Sequence, residues 1–185
     1  MSMENLPKYI YSNVIFIVTT FITIWLFYKP TNKSKISITI IIIWLILQGV
    51  LSFSGFYVRL STIPPRFPLL ILPPLLLIIS LFTTAKGKKF IDSLDQKSMT
   101  LLHTVRIPVE IVLLLLYLGG LVPKLMTYEG RNFDIISGLT APLIVYYGYA
   151  KIKLSRTILL LWNLLCLGLL LNIVVNAILS APFQF

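Results

Sequence analysis

Residues Ile36 to Phe56 read ISITIIIIWLILQGVLSFSGF, 21 positions without a charged side chain. As a helix rising about 1.5 Å per residue, this run is long enough to cross a hydrocarbon core about 30 Å thick. A water-soluble fold would have to hide all of it. Five further apolar segments accompany it, near Tyr9–Tyr28, Phe67–Thr84, Met99–Val122, Asn132–Ala150 and Thr157–Leu179. All are continuous and lack apolar/polar alternation, so they read as helices and not as barrel strands. The sequence therefore predicts an all-α polytopic membrane protein. It is a single domain over residues 1–185, built as a bundle of six transmembrane helices.

The composition agrees. Of the 185 residues 57% are hydrophobic and 12% charged, against about 25% charged in soluble chains. The formal net charge of +10 would suggest nucleic acid in a soluble protein. Here the basic residues fall in short gaps between apolar runs, which excludes a nucleic-acid partner and makes the lipid bilayer the expected one. The first, third and fifth gaps hold ten of them: Lys29, Lys33, Lys35, Lys86, Lys88, Lys89, Lys97, Lys151, Lys153 and Arg156. The other side holds five: Lys8, Arg59, Arg66, Lys124 and Arg131. The positive-inside rule then places the odd gaps in the cytoplasm and both termini outside. Tyr146, Tyr147 and Tyr149 fit an inner aromatic belt, and Phe183 and Phe185 an outer one. The first segment reads as a retained helix, because Glu4 and Lys8 precede it and it ends at Tyr28-Lys29-Pro30 without a small-residue cleavage pattern.

Two connections carry local signals. Pro73-Pro74 inside the third segment removes two backbone donors and predicts a kink or break there. The third gap, Lys86 to Ser98, is long enough for a short interfacial helix. Phe90, Ile91 and Leu94 share one face of it, with Lys89, Asp92 and Asp95 turned away, and Ser98 follows as N-cap of the fourth segment.

The fourth segment carries the candidate site. At about 100° per residue, His103, Arg106 and Glu110 form one polar stripe. Arginine can snorkel to an interface, whereas Glu110 has the shorter arm and stays near the midplane, where a charge costs about 2.5–3.5 kcal/mol. Glu110 is therefore expected to face inward on the same side as Arg106. Its partner is Arg106 itself or a polar residue of another segment, the candidates being Gln48, Asn163, Asn172 and Asn176. The outer gap 126–134 adds Glu129, Arg131 and Asp134. Asn132 reads as the N-cap of the fifth segment and Asp134 as an acid in its first turn. Glu129 and Arg131 are left to pair or to face an external ligand.

No phosphate loop, paired catalytic carboxylates, HExxH or CxxC occurs, so neither an enzyme, a metal site nor a cofactor is expected. A single histidine excludes bis-histidine haem within one chain, and the lone Cys166 sits in an apolar run.

Leu102-His103-x-x-Arg106-Ile107-Pro108-Val109-Glu110, then Leu121-Val122-Pro123, then Glu129 through Pro142 (EGRNFDIISGLTAP) resemble an uncharacterised group of short bacterial multi-pass membrane proteins. The resemblance implies a bacterial inner-membrane location and carries no activity. Two functions stay open. One is a small transport or permeation unit with its polar site on the fourth segment. The other is a non-catalytic interaction or assembly subunit, joined to a membrane-protein partner or to further copies of itself.

Overall fold

The computed structural model describes residues 6–32, 34–57, 66, 68–151 and 154–180. Expectations resting on Lys33, Arg59, Phe67, Lys153, Phe183 and Phe185 lie outside the described residues. Most of those described are helical, with no strand among them. In chain order the helices are α1 (Leu6–Tyr28), α2 (Lys35–Phe53), α3 (Pro68–Thr83), α4 (Ala85–Asp92), α5 (Gln96–Leu102), α6 (Arg106–Leu118), α7 (Ile135–Val145) and α8 (Arg156–Ser180). A 3₁₀ turn, His103–Val105, joins α5 to α6, and α7 runs on into a wider π turn, Tyr146–Lys151.

Four helices are long and apolar enough to cross a membrane: Leu6–Tyr28, Lys35–Phe53, Gln96–Leu118 and Arg156–Ser180. The other two expected spans look different. The third, expected over Phe67–Thr84, is met by the 16-residue α3, which turns by 90° into α4, the short helix expected in the third gap, and the fifth is the shorter apolar helix Ile135–Tyr149. The fifth starts late because Asn132 and Asp134 are held in a turn of their own, in which Asn132 Oδ1 accepts from the Asp134 N–H at 3.0 Å. The fourth begins at Gln96, so that Ser98 lies buried in its first turn and not at its cap. It ends at Leu118, where Gly119 and Gly120 close it, the latter with φ +78°.

The expected break at Pro73-Pro74 does not occur, and the chain turns only at Thr84, where the segment ends. Helix α3 continues through Pro73 and Pro74. The two prolines withhold the donors that would meet the Leu69 and Leu70 carbonyls, which lie in the first turn of the helix. Thr84 instead adopts an extended backbone (φ −90°, ψ 148°), and its hydroxyl accepts from the Gly87 N–H at 3.1 Å to cap α4. Gly87 makes the sharp turn possible, since a Cβ there would collide with the Leu81 backbone.

The chain divides into two compact units. One comprises Tyr28–Asp95; the other holds α1 up to Phe27 and everything from Gln96 through α8. Within the second of these, Tyr9 donates to the Gly119 carbonyl at 2.7 Å, and α7 lies closely against the α5–α6 junction. That approach uses small residues. Ser137, Gly138 and Ala141 are buried along one face of α7, and a Cβ on Gly138 would come within 2.8 Å of Ile107 Cγ1. The junction tightens into a 3₁₀ turn because Pro108 supplies no N–H for the Thr104 carbonyl, four residues back.

Burial runs opposite to that of a soluble protein. The largest fully buried side chains include Glu110, Asn132 and Thr127, whereas the buried apolar core among the described residues is Val112, Ala141 and Cys166. Phe21, Trp25, Ile36 and Phe53 are all more than two thirds exposed, and apolar side chains like them line every long helix. In water each such side chain would forfeit about 1.5–3 kcal/mol of burial, and a few of them would exceed the about 5–15 kcal/mol by which domains are stable. This surface is compatible with a lipid environment.

Gly138→Ala is expected to destabilise the protein by about 1–3 kcal/mol through overpacking against Ile107. A thermal melt of purified protein in detergent measures it; an unchanged midpoint would show that the close approach is dispensable.

Candidate functional site

The α5–α6 helix presents His103, Arg106 and Glu110 toward α7, α8 and the 123–134 connection, all within one unit. The partners are not those expected from sequence. Arg106 does not pair with Glu110. Its guanidinium donates to Asp134 Oδ1 in a largely buried ion pair and to the Cys166 backbone carbonyl at 3.3 Å. Ser137, one turn into α7, also donates to Asp134 Oδ1 at 3.3 Å. Asp134 is thus the counter-ion of Arg106 and makes no side-chain cap of α7. A buried carboxylate met by a guanidinium and a hydroxyl has partners for its oxygen, where an unpaired one would be costly.

Glu110 is 1% exposed, and its Oε1 accepts from the side-chain amide of Asn132 at 2.6 Å. Asn132 is engaged at both ends of its amide. Its Nδ2 also donates to the Met126 carbonyl at 3.1 Å, while its Oδ1 accepts from the Asp134 N–H at 3.0 Å. That last bond fixes which end of the amide faces Glu110, since only the nitrogen can donate to a carboxylate. Asn132 therefore links the two acids, holding Glu110 through one end and the Asp134 backbone through the other. The turn around it is closed by Thr127, fully buried, whose carbonyl accepts from the Gly130 N–H at 2.9 Å and the Asn132 N–H at 3.3 Å.

Two buried polar atoms of this face have no hydrogen-bond partner, Glu110 Oε2 and His103 Nδ1. Buried polar atoms are satisfied in the great majority of cases, so two of them on one helix face set it apart. The His103 ring rests against Trp162 of α8, with centroids 5.0 Å apart. The polar residues offered from sequence as cross-helix partners of Glu110 are engaged elsewhere. Gln48 accepts from Tyr57 at 2.6 Å, Asn163 donates to the Leu159 carbonyl at 2.8 Å, and Asn172 donates to the Arg131 carbonyl at 2.5 Å. Asn176 is buried and donates to Asn172 Oδ1 at 3.4 Å.

The outer-gap residues separate by environment. Asp134 is buried in the network; Glu129 and Arg131 are exposed. Glu129 pairs with Lys124 at 3.7 Å, both about half exposed, and not with Arg131. Sequence reasoning missed Asn132, Ser137 and Thr127. The available signal was the density of polar residues entering an otherwise apolar segment, which helix-capping rules accounted for too readily. Among the described residues no three His, Cys, Asp or Glu side chains converge to hold a metal ion.

No family model matches the chain, and neither curated proteins nor solved structures include one significantly similar to it.

The geometry predicts a sharp contrast between two acids that are close in sequence, one in a largely buried pair and the other in a half-exposed one. Asp134→Ala strands the Arg106 charge and is expected to cost about 3–5 kcal/mol. Glu129→Ala removes a solvated pair and is expected to cost less than about 1 kcal/mol. Melting both variants beside the parent decides it; equal losses would mean that the buried pair contributes nothing special.

Proposed function

We propose that this chain is a multi-pass integral membrane protein acting as a small transport or permeation unit, in which Glu110 exchanges a proton. In this reading six segments cross the membrane, the third ending at the 90° turn and the fifth spanning with its short helix. Both termini lie outside, on the ten-to-five division of basic residues between the gaps. A bacterial inner membrane is the location implied by the resemblance of residues 102–142.

One observation carries the role of Glu110. It is a carboxyl group 1% exposed, with one oxygen held by Asn132 and the other without a partner. A residue retained only to lock helices together would be expected to use both oxygens, because an unsatisfied polar atom in hydrocarbon weakens the structure it is meant to hold. Intramembrane acids are costly and mark ion and proton pathways. The neighbour of Glu110 is a donor amide and not a ring of further oxygens, which suits proton exchange better than a cage for a metal cation. His103 stands about 10 Å along the helix, with its own unpartnered ring nitrogen, as a second polar station on the same face.

Assembly into a larger complex is the second reading. The Arg106–Asp134 pair favours it, since that pair ties α6 to α7 without leaving a group free. The two readings part on Glu110. A hydrophobic carbodiimide adds to a protonated carboxyl in an apolar setting. It is expected to modify Glu110 in membranes and leave Asp134 untouched, as read by peptide mass. Glu110→Gln is expected to preserve folding and abolish both the modification and any proton flux in reconstituted vesicles. Loss of folding in Glu110→Gln, with no labelling of the parent, would favour the assembly reading instead.

Orientation has its own test. Buried Cys166 gives little background to thiol reagents. Lys88→Cys is expected to resist a membrane-impermeant thiol reagent in intact cells, and Glu129→Cys to react. The reverse pattern would invert the topology.

A further inference from the structure

The unit formed by Tyr28–Asp95 gathers two of the basic gaps at one corner. The turn after α1 is bonded to the end of α4. Asn32 Nδ2 donates to the Ser93 carbonyl at 2.8 Å, and the Asp95 N–H donates to the Pro30 carbonyl at 3.1 Å. Pro30 and Thr31 are buried beneath this contact. Asn32 adopts the left-handed conformation, φ 52°, which asparagine tolerates better than most residues. The corner is therefore a built junction and not two loose loops. Its effect is to tie the segment that carries Lys29 and Lys35, both exposed, to the end of the helix that carries exposed Lys86, Lys88 and Lys89. Asp92 and Asp95 offset part of this charge, leaving an excess of three positive charges from the five lysines and two acids.

The direction of α4 adds an independent constraint. It leaves α3 at 90°, so where α3 stands along the membrane normal, α4 lies in the plane of the surface. Phe90 and Ile91 are half-buried while the α4 lysines are exposed. A short helix lying flat, with apolar residues turned in and lysines turned out, matches interfacial helices that meet lipid headgroups. We propose that the lysine-lined corner made by Lys29, Lys35 and α4 binds the phosphate headgroups of anionic lipids. The charge sign selects anionic over zwitterionic lipid, and the in-plane helix selects a membrane surface over a soluble acidic partner. The proposal rests on the chain being membrane-embedded but not on the role of Glu110.

The full chain, purified in neutral detergent, is offered an equal mixture of phosphatidylglycerol and phosphatidylcholine, and the retained lipids are counted by mass spectrometry. The wild type is expected to enrich phosphatidylglycerol. Because each surface lysine contributes about a fivefold preference, the combined variant Lys86→Gln, Lys88→Gln, Lys89→Gln is expected to lose at least about tenfold. The wild type in about 1 M salt, where the Debye length falls to about 3 Å, should lose a similar factor, and this arm decides the matter should the triple variant not fold. Inorganic phosphate at millimolar concentration should not displace the lipid. Equal retention of the two lipids, enrichment indifferent to the lysines and to salt, or displacement by phosphate alone would each overturn the proposal. Resistance to alkaline extraction from membranes reports separately whether the chain is embedded.

Discussion

The ion pair between Arg106 and Asp134 is the constraint on which the rest of its unit depends. Charges away from water are tolerated only when each finds a partner, and here the partners come from α6, from the residue just before α7 and, through the Cys166 carbonyl, from α8. Satisfying one guanidinium therefore fixes where three helices meet. The small residues Ser137, Gly138 and Ala141 follow from the same demand, since α7 must come close enough to α6 for Asp134 to reach Arg106. Asn132 then carries the arrangement one step further, to Glu110.

The fold was legible in the sequence where it depended on length and hydropathy, and less so where it depended on one residue's tertiary partner. Runs such as Ile36 to Phe56 announce helices because lipid permits little else for a continuous apolar backbone. Their ends were less clear. Pro73-Pro74 drew attention as a break, yet the chain turns at Thr84, whose cap and nearby Gly87 form a subtler signal than two prolines. For the site, helical periodicity placed His103, Arg106 and Glu110 on one face, because 100° steps need no knowledge of the neighbours. The choice of partner does need it. Asn132 and Asp134 satisfy local helix-start rules so well that nothing in the sequence points across to Arg106 and Glu110; only the packing of α7 against α6 brings them there.

Polar burial and apolar exposure are two sides of one distribution. Where lipid surrounds a chain, apolar contact no longer distinguishes interior from exterior, so specificity passes to the few groups that must be hydrogen-bonded. Thr19 and Ser12 on α1 meet that requirement by bonding to carbonyls of their own helix, at 2.7 and 2.9 Å. The α6–α7 residues meet it across helices. Substitutions among exposed leucines and isoleucines are therefore of a different kind from any change at Asn132.

The separation of Arg106 and Asp134 by 28 positions bears on how such a chain is made. Ribosomes deliver Arg106 first, and for the time it takes to synthesise the intervening residues its charge has no counter-ion. A segment carrying both an arginine and a glutamate is a poor candidate for release into lipid alone. For a chain inserted into a bilayer, the α6–α7 hairpin, and not α6 alone, is the smallest piece in which these two charges enter as a neutral pair.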